Sequence, residues 1–492
     1  MENNYIFFIF STLLVIIVIL SSTINSITSL AATTTDKNAL VQFKTSTCDP
    51  YHLLATNWSI DTSSSSVCQW IGVSCGTKHN NRVTGLNISR FGLGGALSPH
   101  LGNLTFLRHL DISNNNFTGP IPRELSRLRR LRSIDMGFNS FAGQIPTWFG
   151  AFPQLEIMRL NNNTFTGSIP QELSLLQGLR IIDMEANSLT GQIPVWVRAL
   201  PQLEQLNLRN NKLRGRIPEE MGNCSSLQIL YLSYNQLTGS IPYVIFNLSS
   251  IREIRASYNY LSGTLPSDMC NNLPSLTFLA VSSNQLEGSI PPNIGNCTNL
   301  ESLSLSINRF SGEIPSEIAS LSMLMVLYLG DNEFTGSIPK QLGNCTSLKE
   351  IDLPQNNLTG NLPEELNKLA FLEIFAVDSN QLSGSIPPWI FNISTLKILG
   401  LSANRFSGIL PLSPKLSHPN LEKLLLWGNE LNGEIPISIT NASNLNILEL
   451  SNNSFSGTIP YLGSLRLLWL LRIWDNSLSG LGFISSLANC QF

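Results

Sequence analysis

Charge is what this 492-residue chain has least of: Asp, Glu, Lys and Arg make up 13% of it, and the net charge is −3. A chain so sparsely charged and slightly acidic lacks the basic footprint that holds a phosphate backbone, which argues against nucleic acid as a partner. The motifs of phosphoryl transfer are missing too, with no Gly-rich loop followed by V-A-I-K, no H-R-D and no D-F-G. Histidine is scarce, and His52, His79, His100, His109 and His418 are scattered without acid-base partners at a useful spacing. The eight cysteines include no C-x-x-C pair and no nearby His cluster, so neither a metal site nor a cofactor is expected. Long apolar runs are absent except for Ile6 to Leu20, which is shorter than the ~20 residues of a membrane span. That run, the polar stretch Ser21–Ser29 and the small Ala31 and Ala32 read as a signal peptide over residues 1–31. The competing reading, an uncleaved anchor, draws on the lack of Lys or Arg before the run. No membrane span is expected in the processed chain.

Repetition is what the chain has in abundance. The pattern L-x-x-L-x-L-x-x-N-x-[LF]-x-G-x-[IL]-P recurs from Leu107 onward, with its Asn at 115, 139, 163, 187, 211, 235 and 259 and so on to 476. The interval is 24 residues except for two steps of 25 and a last one of 23, and a degenerate copy at Val83, Leu86 and Ile88 precedes them. Such a period predicts a solenoid of about 17 stacked coils. In the copy Leu203, Leu206, Leu208, Asn211, Leu213, Gly215, Ile217 and Pro218, period-two alternation turns the leucines inward and Gln205, Asn207 and Arg209 outward. The expected coil is a short parallel strand, a buried Asn that satisfies turning backbone, and a tight bend at Gly215. Pro218 then opens a short helical or 3₁₀ segment on the convex side. The fold class is an α/β solenoid, a right-handed superhelix with a concave parallel sheet over residues 83–492.

Thirteen N-x-[ST] sequons accompany the repeats: Asn57, Asn87, Asn103, Asn116, Asn162, Asn223, Asn247, Asn296, Asn344, Asn357, Asn392, Asn441 and Asn452. Seven of them (103, 223, 247, 296, 344, 392 and 441) fall four residues before a repeat's first Leu, so glycans there would project from one flank and leave the sheet open; an incidental consensus Asn is the alternative. Asn162 and Asn452 fall at the rim of the sheet. Cys68 and Cys75, close together in an exported segment, are expected to form a disulfide that closes the N-terminal end of the coil. Cys224, Cys297, Cys345 and Cys490 share a repeat position. Cys297 and Cys345 lie two rungs apart, about 10 Å at 4.8 Å per rung and beyond disulfide reach, so these read as buried free thiols. Cys48 has no obvious mate, and Cys270 is read as free.

The segment Asp36, Ala39, Leu40, Phe43, Lys44, Asp49–Pro50, Leu54, Asn57–Trp58 and Cys68-x-Trp70-x-Gly72-Val73-x-Cys75 resembles the plant-type N-terminal cap of leucine-rich-repeat proteins, giving a cap over residues 32–82. The repeats, with extensions such as Thr118–Gly119–Pro120–Ile121–Pro122, resemble the extracellular parts of plant leucine-rich-repeat receptor kinases and receptor-like proteins. The nearest-looking branch is the one with immune receptors. This resemblance covers residues 36–492. It implies a ligand-recognition module at the cell surface, in immune or developmental signalling, that takes a peptide or protein on its concave face and pairs with a co-receptor kinase. It implies no enzyme in this chain, although a full-length parent would carry a kinase. Ile484–Leu487 begin another convex segment and Asn489–Cys490 predict a repeat Leu at position 493, so the chain reads as an N-terminal piece of a longer receptor. The alternative is a secreted, non-signalling binding protein, such as an inhibitor of microbial wall-degrading enzymes.

Outward strand positions are the candidate ligand face. One column runs Asp111, Asp135, Arg159, Asp183, Asn207, Tyr231, Arg255, Ala280, Ser304, Tyr328, Asp352, Ala376, Gly400, Leu425, Glu449 and Arg472; its neighbour adds Glu185, Arg209, Asp378, Trp427 and Trp474. Because exposed Trp, Tyr and Arg concentrate binding energy, Arg159, Asp183, Arg209, Tyr231, Arg255, Tyr328, Asp352, Trp427 and Trp474 are the candidates. His109 reads as a solvated surface residue. The basic run Arg123, Arg127, Arg129, Arg130 and Arg132 reads as a solvated convex face.

Overall fold

The computed structural model describes residues 34–58, 66–77, 81–412, 419–480 and 482–490. The expected signal peptide, His79 and His418 lie outside them. Contacts divide the chain into two compact units, Met1–Leu213 and Arg214–Phe492. Among the described residues no helix is long and apolar enough to cross a membrane.

The first unit opens with the cap. Asp36, Ala39, Leu40 and Phe43 recur at helical spacing and lie on the buried side of a helix over residues 34–46. A second helix, Leu53–Asn57, adds Leu54, and Trp58 stacks on Trp70 with ring centroids 5.3 Å apart. Val73–Gly76 then pairs antiparallel with Arg82–Asn87, covering the edge of the first repeat strand. The Cys68–Cys75 disulfide closes this cap, with Cα atoms 5.5 Å apart. A feature beyond the sequence motif locks the cap to that strand. Arg82 grips Asp36 through two 2.8 Å bonds, and the Val83 amide donates to the same carboxylate at 2.9 Å.

Repeat strands follow in parallel register in both units. In the first, His109–Asp111, Ser133–Asp135, Ile157–Arg159, Ile181–Asp183 and Gln205–Asn207 are paired in order. In the second, Ile229–Tyr231 pairs with Glu253–Arg255 and the ladder continues strand by strand to Leu470–Arg472. The middle residue of nearly every strand is buried and its neighbours face outward. After each strand the Asn does what the pattern requires. Asn163 Oδ1 accepts from the Phe141 amide at 2.9 Å, while its Nδ2 donates to the carbonyls of Met136, Leu160 and Asn161 at 3.0–3.2 Å. Asn115, Asn259 and Asn356 repeat the arrangement. On the convex side most coils carry a five-residue 3₁₀ helix whose N-cap is the repeat's Pro, as in Glu219–Asn223 after Pro218 at φ −70°.

Two elements were not anticipated. The x-[LF]-x-G stretch does more than bend: segments such as Asn116–Gly119, Ser140–Gln144 and Thr164–Gly167 form a second row of parallel strands. Its inward Phe117, Phe141 and Phe165 stack at 6.1 and 6.3 Å. The residue just before each Asn also lies in the left-handed region, among them Phe138 (φ 53°), Tyr234 (58°), Tyr258 (59°) and Ile307 (57°), with glycine at the equivalent Gly428 (66°). Left-handed geometry at bulky residues is costly, so the coil as a whole imposes it.

The reading of Cys270 and Cys297 as free thiols is corrected: they form a disulfide with Cα atoms 5.2 Å apart. Cys345 lies two coils from Cys297, whereas the adjacent coil carries Cys270. There the convex segment is turns rather than a 3₁₀ helix, and Cys270 is brought beneath Cys297. Cys224 and Cys345 form no disulfide and are buried, and burial pushes both thiols up to about 11. Cys48 and Cys490 are also free.

Candidate ligand-binding face

In the first unit the outward positions form a mesh of paired charges. Arg132 meets Glu156 at 2.9 Å, Arg180 holds Glu204 through two 2.9 Å bonds, and Arg159 lies 3.7 Å from Asp135. Arg209 sits 3.4 Å from Glu185, which also accepts from Asn207 at 3.0 Å. Asn207 is therefore buried rather than solvent-facing. Asp183 is pushed up to about 6, chiefly by burial and further by Glu185 and Asp135, against the Glu185 amide and Arg159. Burial raises Asp135 for the same reason. His109, exposed as expected, pairs its Nδ1 with Ser133 Oγ at 2.9 Å. The basic run is largely engaged: Arg127 donates to Asn103, Arg129 to the Ala151 carbonyl, and Arg130 stacks over Phe106 at 4.2 Å.

The second unit carries the aromatic candidates. Arg255 lies over the rings of Tyr231 (5.0 Å) and Phe278 (4.8 Å) and is held by Glu253 at 2.8 Å, while the Tyr231 hydroxyl donates to the same carboxylate at 2.5 Å. In the column of Tyr231 and Arg255 the next two rungs present Ala280 and Ser304, the latter bonded to Ser282 at 2.7 Å. Beyond them Tyr328 donates to Glu350, and burial together with that bond raises its own pKa. Asp352, beside Asp378, Asp331 and Glu350, is pushed up to about 6, burial being the first cause. The result is a floor of small residues between two tyrosine-bearing walls. Along its rim Tyr234 and Tyr258 stack at 4.3 Å with both rings exposed. Trp427 and Trp474 are exposed two rungs apart. Glu449, paired with Arg472 at 3.2 Å, and Ala376 are buried, so the outward column is not uniformly available. At Gly400 a Cβ would come within 2.2 Å of the Asp378 carboxylate, which leans across the strand to accept from the Ser402 amide, so a larger residue would displace that carboxylate.

The seven sequons of the shared slot each end a 3₁₀ helix, from Pro99–Asn103 to Ile437–Asn441. Six are exposed, and Asn103 is half-buried against Arg127. Asn57, Asn87, Asn116, Asn357 and Asn452 are also exposed. Asn162 and Asn452 occupy left-handed positions at the strand ends. Among the described residues no cluster of His, Cys, Asp and Glu that could hold a metal ion accompanies the face.

A stack of coils that offers a rigid polar and aromatic sheet defines a leucine-rich-repeat recognition module. Family models agree along the chain: a leucine-rich-repeat N-terminal domain matches residues 33–76, leucine-rich repeats match 186–261, and a leucine-rich-repeat region matches 268–476. The plant peptide hormone receptor RGFR1 in complex with RGF2 superposes with a TM-score of 0.75 at 33% identity, covering 82% of this chain and 69% of that one. The Arabidopsis receptor kinase HAESA, solved with the peptide hormone IDA and the co-receptor SERK1, gives 0.66 at 29% identity, covering 90% and 86%. Among curated relatives, a probable receptor-like serine/threonine-protein kinase of Arabidopsis thaliana is 43% identical over 83 residues, which is 17% of this chain and 8% of that protein. The rice receptor kinase-like protein Xa21 is 38% identical over 91 residues, 18% of this chain and 9% of its own length. The chain belongs to the plant leucine-rich-repeat receptor family.

Proposed function

We propose that this chain recognises an extracellular peptide for a plant leucine-rich-repeat receptor, laying it across the strands of the second unit from Tyr231 to Asp352. The observation that carries this reading is the small-residue floor at Ala280 and Ser304 between Arg255–Tyr231 and Tyr328, with the exposed Tyr234–Tyr258 pair at its rim. Five rung steps of ~4.8 Å span about 24 Å, the length of roughly seven extended residues. Rigid aromatics beside a shallow floor give contact area with little loss of side-chain freedom. The complexes of RGFR1 with RGF2 and of HAESA with IDA and SERK1 support a peptide ligand and a co-receptor kinase as the partners. The place of action is then the outer side of the plasma membrane, with the kinase supplied by a longer parent chain.

A library of synthetic peptides of about ten residues, screened against the secreted ectodomain, tests this. Bound peptides should lose at least about tenfold in affinity, or ~1.4 kcal/mol, on Ser304→Trp, which blocks the floor, and on Tyr328→Ala. Peptides that bind both variants as well as wild type would refute the placement.

A further inference from the structure

One convex coil of the second unit differs from the others. Pro388–Asn392 is a 3₁₀ helix ending in the sequon Asn392–Ile393–Ser394. Three residues per turn eclipse positions i and i+3, which sets Trp389 on the same face as Asn392. Both line a cleft of about 310 Å³, completed by Ile393, Ser394 and, from the preceding coil, Asn367 and Ala370. Trp389 is only 7% exposed, and its indole Nε1 is buried with no hydrogen-bond partner. A buried N–H without an acceptor is an exception in folded proteins and points to a group that completes it. The equivalent positions of other sequon helices hold Val244, Asn293 and Gln341; Trp148 and Trp196 fill it in two coils of the first unit that carry no sequon there, Trp196 with its Nε1 likewise buried and unpartnered. Asn247 accepts from Asn272, and Asn344 accepts from Lys368. Asn392 is exposed and makes no such bond among the described residues.

We propose that Asn392 carries an N-linked glycan whose first N-acetylated sugar seats in this cleft against Trp389. The inference rests on the extracellular reading above, since it needs passage through the secretory pathway. In the transfer, the Asn392 Nδ2–C1 bond forms as the C1–oxygen bond to a lipid diphosphate breaks. The diphosphate leaves with the electron pair, and the amide nitrogen gives up one proton. The sugar's C–H face then covers Ala370, Ile393 and the indole, and its N-acetyl carbonyl and hydroxyls offer acceptors to the Asn367 amide and the orphaned indole N–H. Glycans on the other exposed sequons have no wall of this kind and project into water.

The test is glycopeptide mass spectrometry of the ectodomain secreted from plant cells, with a time course of a peptide-N-glycosidase that tolerates core fucose. Asn392 should be occupied, and in the native protein its glycan should be released several-fold more slowly than that on Asn344, with equal rates after denaturation. Trp389→Ala should bring the two rates together. Ala370→Gln, at an exposed position that leaves the core intact, should do the same by filling the cleft. Equal native rates in the wild type, or an unmodified Asn392 beside an occupied Asn344, would overturn the proposal alone. Glycan at none of the sequons would overturn it together with the extracellular reading.

Discussion

Ile307 is a β-branched residue held at φ +57° with half of its surface exposed. Left-handed backbone costs an L-residue about 1–2 kcal/mol, and Asn tolerates it far better. Asn114, Asn162 and Asn210 fill the same slot in other coils. The substitution Ile307→Asn gives up roughly half of the ~1.5–3 kcal/mol that full burial of an isoleucine supplies, and Asn's own Cβ recovers part of that. The net expectation is a gain of about 0.5–1 kcal/mol. Gly428 provides the opposite sign: it occupies this slot at +66°, and a Cβ there would meet only ordinary contacts, the nearest being Ala403 Cα at 3.6 Å. Gly428→Ala should therefore cost about 1 kcal/mol through conformation alone. Because repeat proteins open locally, native-state hydrogen exchange is the suitable assay. The Ile307 amide, which donates to the Gly330 carbonyl at 2.9 Å, should exchange up to about fivefold more slowly in Ile307→Asn. Amides beside residue 428 should exchange correspondingly faster in Gly428→Ala. Unchanged or faster exchange in Ile307→Asn would refute the claim that this column stores strain.

Three further outcomes follow from the polar and covalent contacts. Asp36→Asn leaves the buried Arg82 without its charge partner, so the cap should lose about 3–5 kcal/mol, read as a lower urea midpoint for the N-terminal unit. Cys270→Ser with Cys297→Ser opens a disulfide across a sequence separation of 27; chain entropy places the loss near 3.5 kcal/mol, measured by denaturation against the wild type under oxidising conditions. Asp183, raised from 3.8 to about 6, binds its proton more tightly when folded. Its burial costs nothing below about pH 4, where both states are protonated, and costs most above pH 6. Asp183→Asn, which keeps an acceptor for the Glu185 amide at 3.1 Å, should be more stable than wild type at pH 7 and equal to it near pH 3.5. The same titration with no pH-dependent difference would count against burial as the cause.

The repeat, the Asn slot and the cap were all readable because each is a short-range rule: period-two burial, a side chain with two kinds of hydrogen-bonding group, a Pro that opens a turn. What escaped depended on neighbouring coils. The second row of strands alternates over only three or four residues, so Thr164–Gly167 passes for a bend until Ser140–Gln144 lies beside it. The strain at Phe138 or Ile307 is invisible in residue identity, since nothing about Phe or Ile asks for positive φ. Cys270 was missed because it stands in the slot that Gly222, Gly295 and Gly343 fill in other coils, not in the slot shared by Cys224, Cys297 and Cys345. On the candidate face, the outward placement of Tyr231 and Arg255 was legible, yet the burial of Asn207 and Glu449 follows from partners one strand away. The sequons were plain in the text, while the wall beside Asn392 needed a second coil to build it.

The Asn ladder also has a direction. Asn115, Asn163, Asn259 and Asn356 each draw their side-chain partners from their own coil and the one before it, and none from the coil that follows. A newly made coil thus finds the partners for its asparagine side chain already in place, and only its backbone amides, such as that of Asn115 toward the Phe138 carbonyl, wait for the coil that follows. Synthesis from the N-terminus therefore supplies these side-chain partners in the order in which they are used, starting beyond the Asp36–Arg82 clamp.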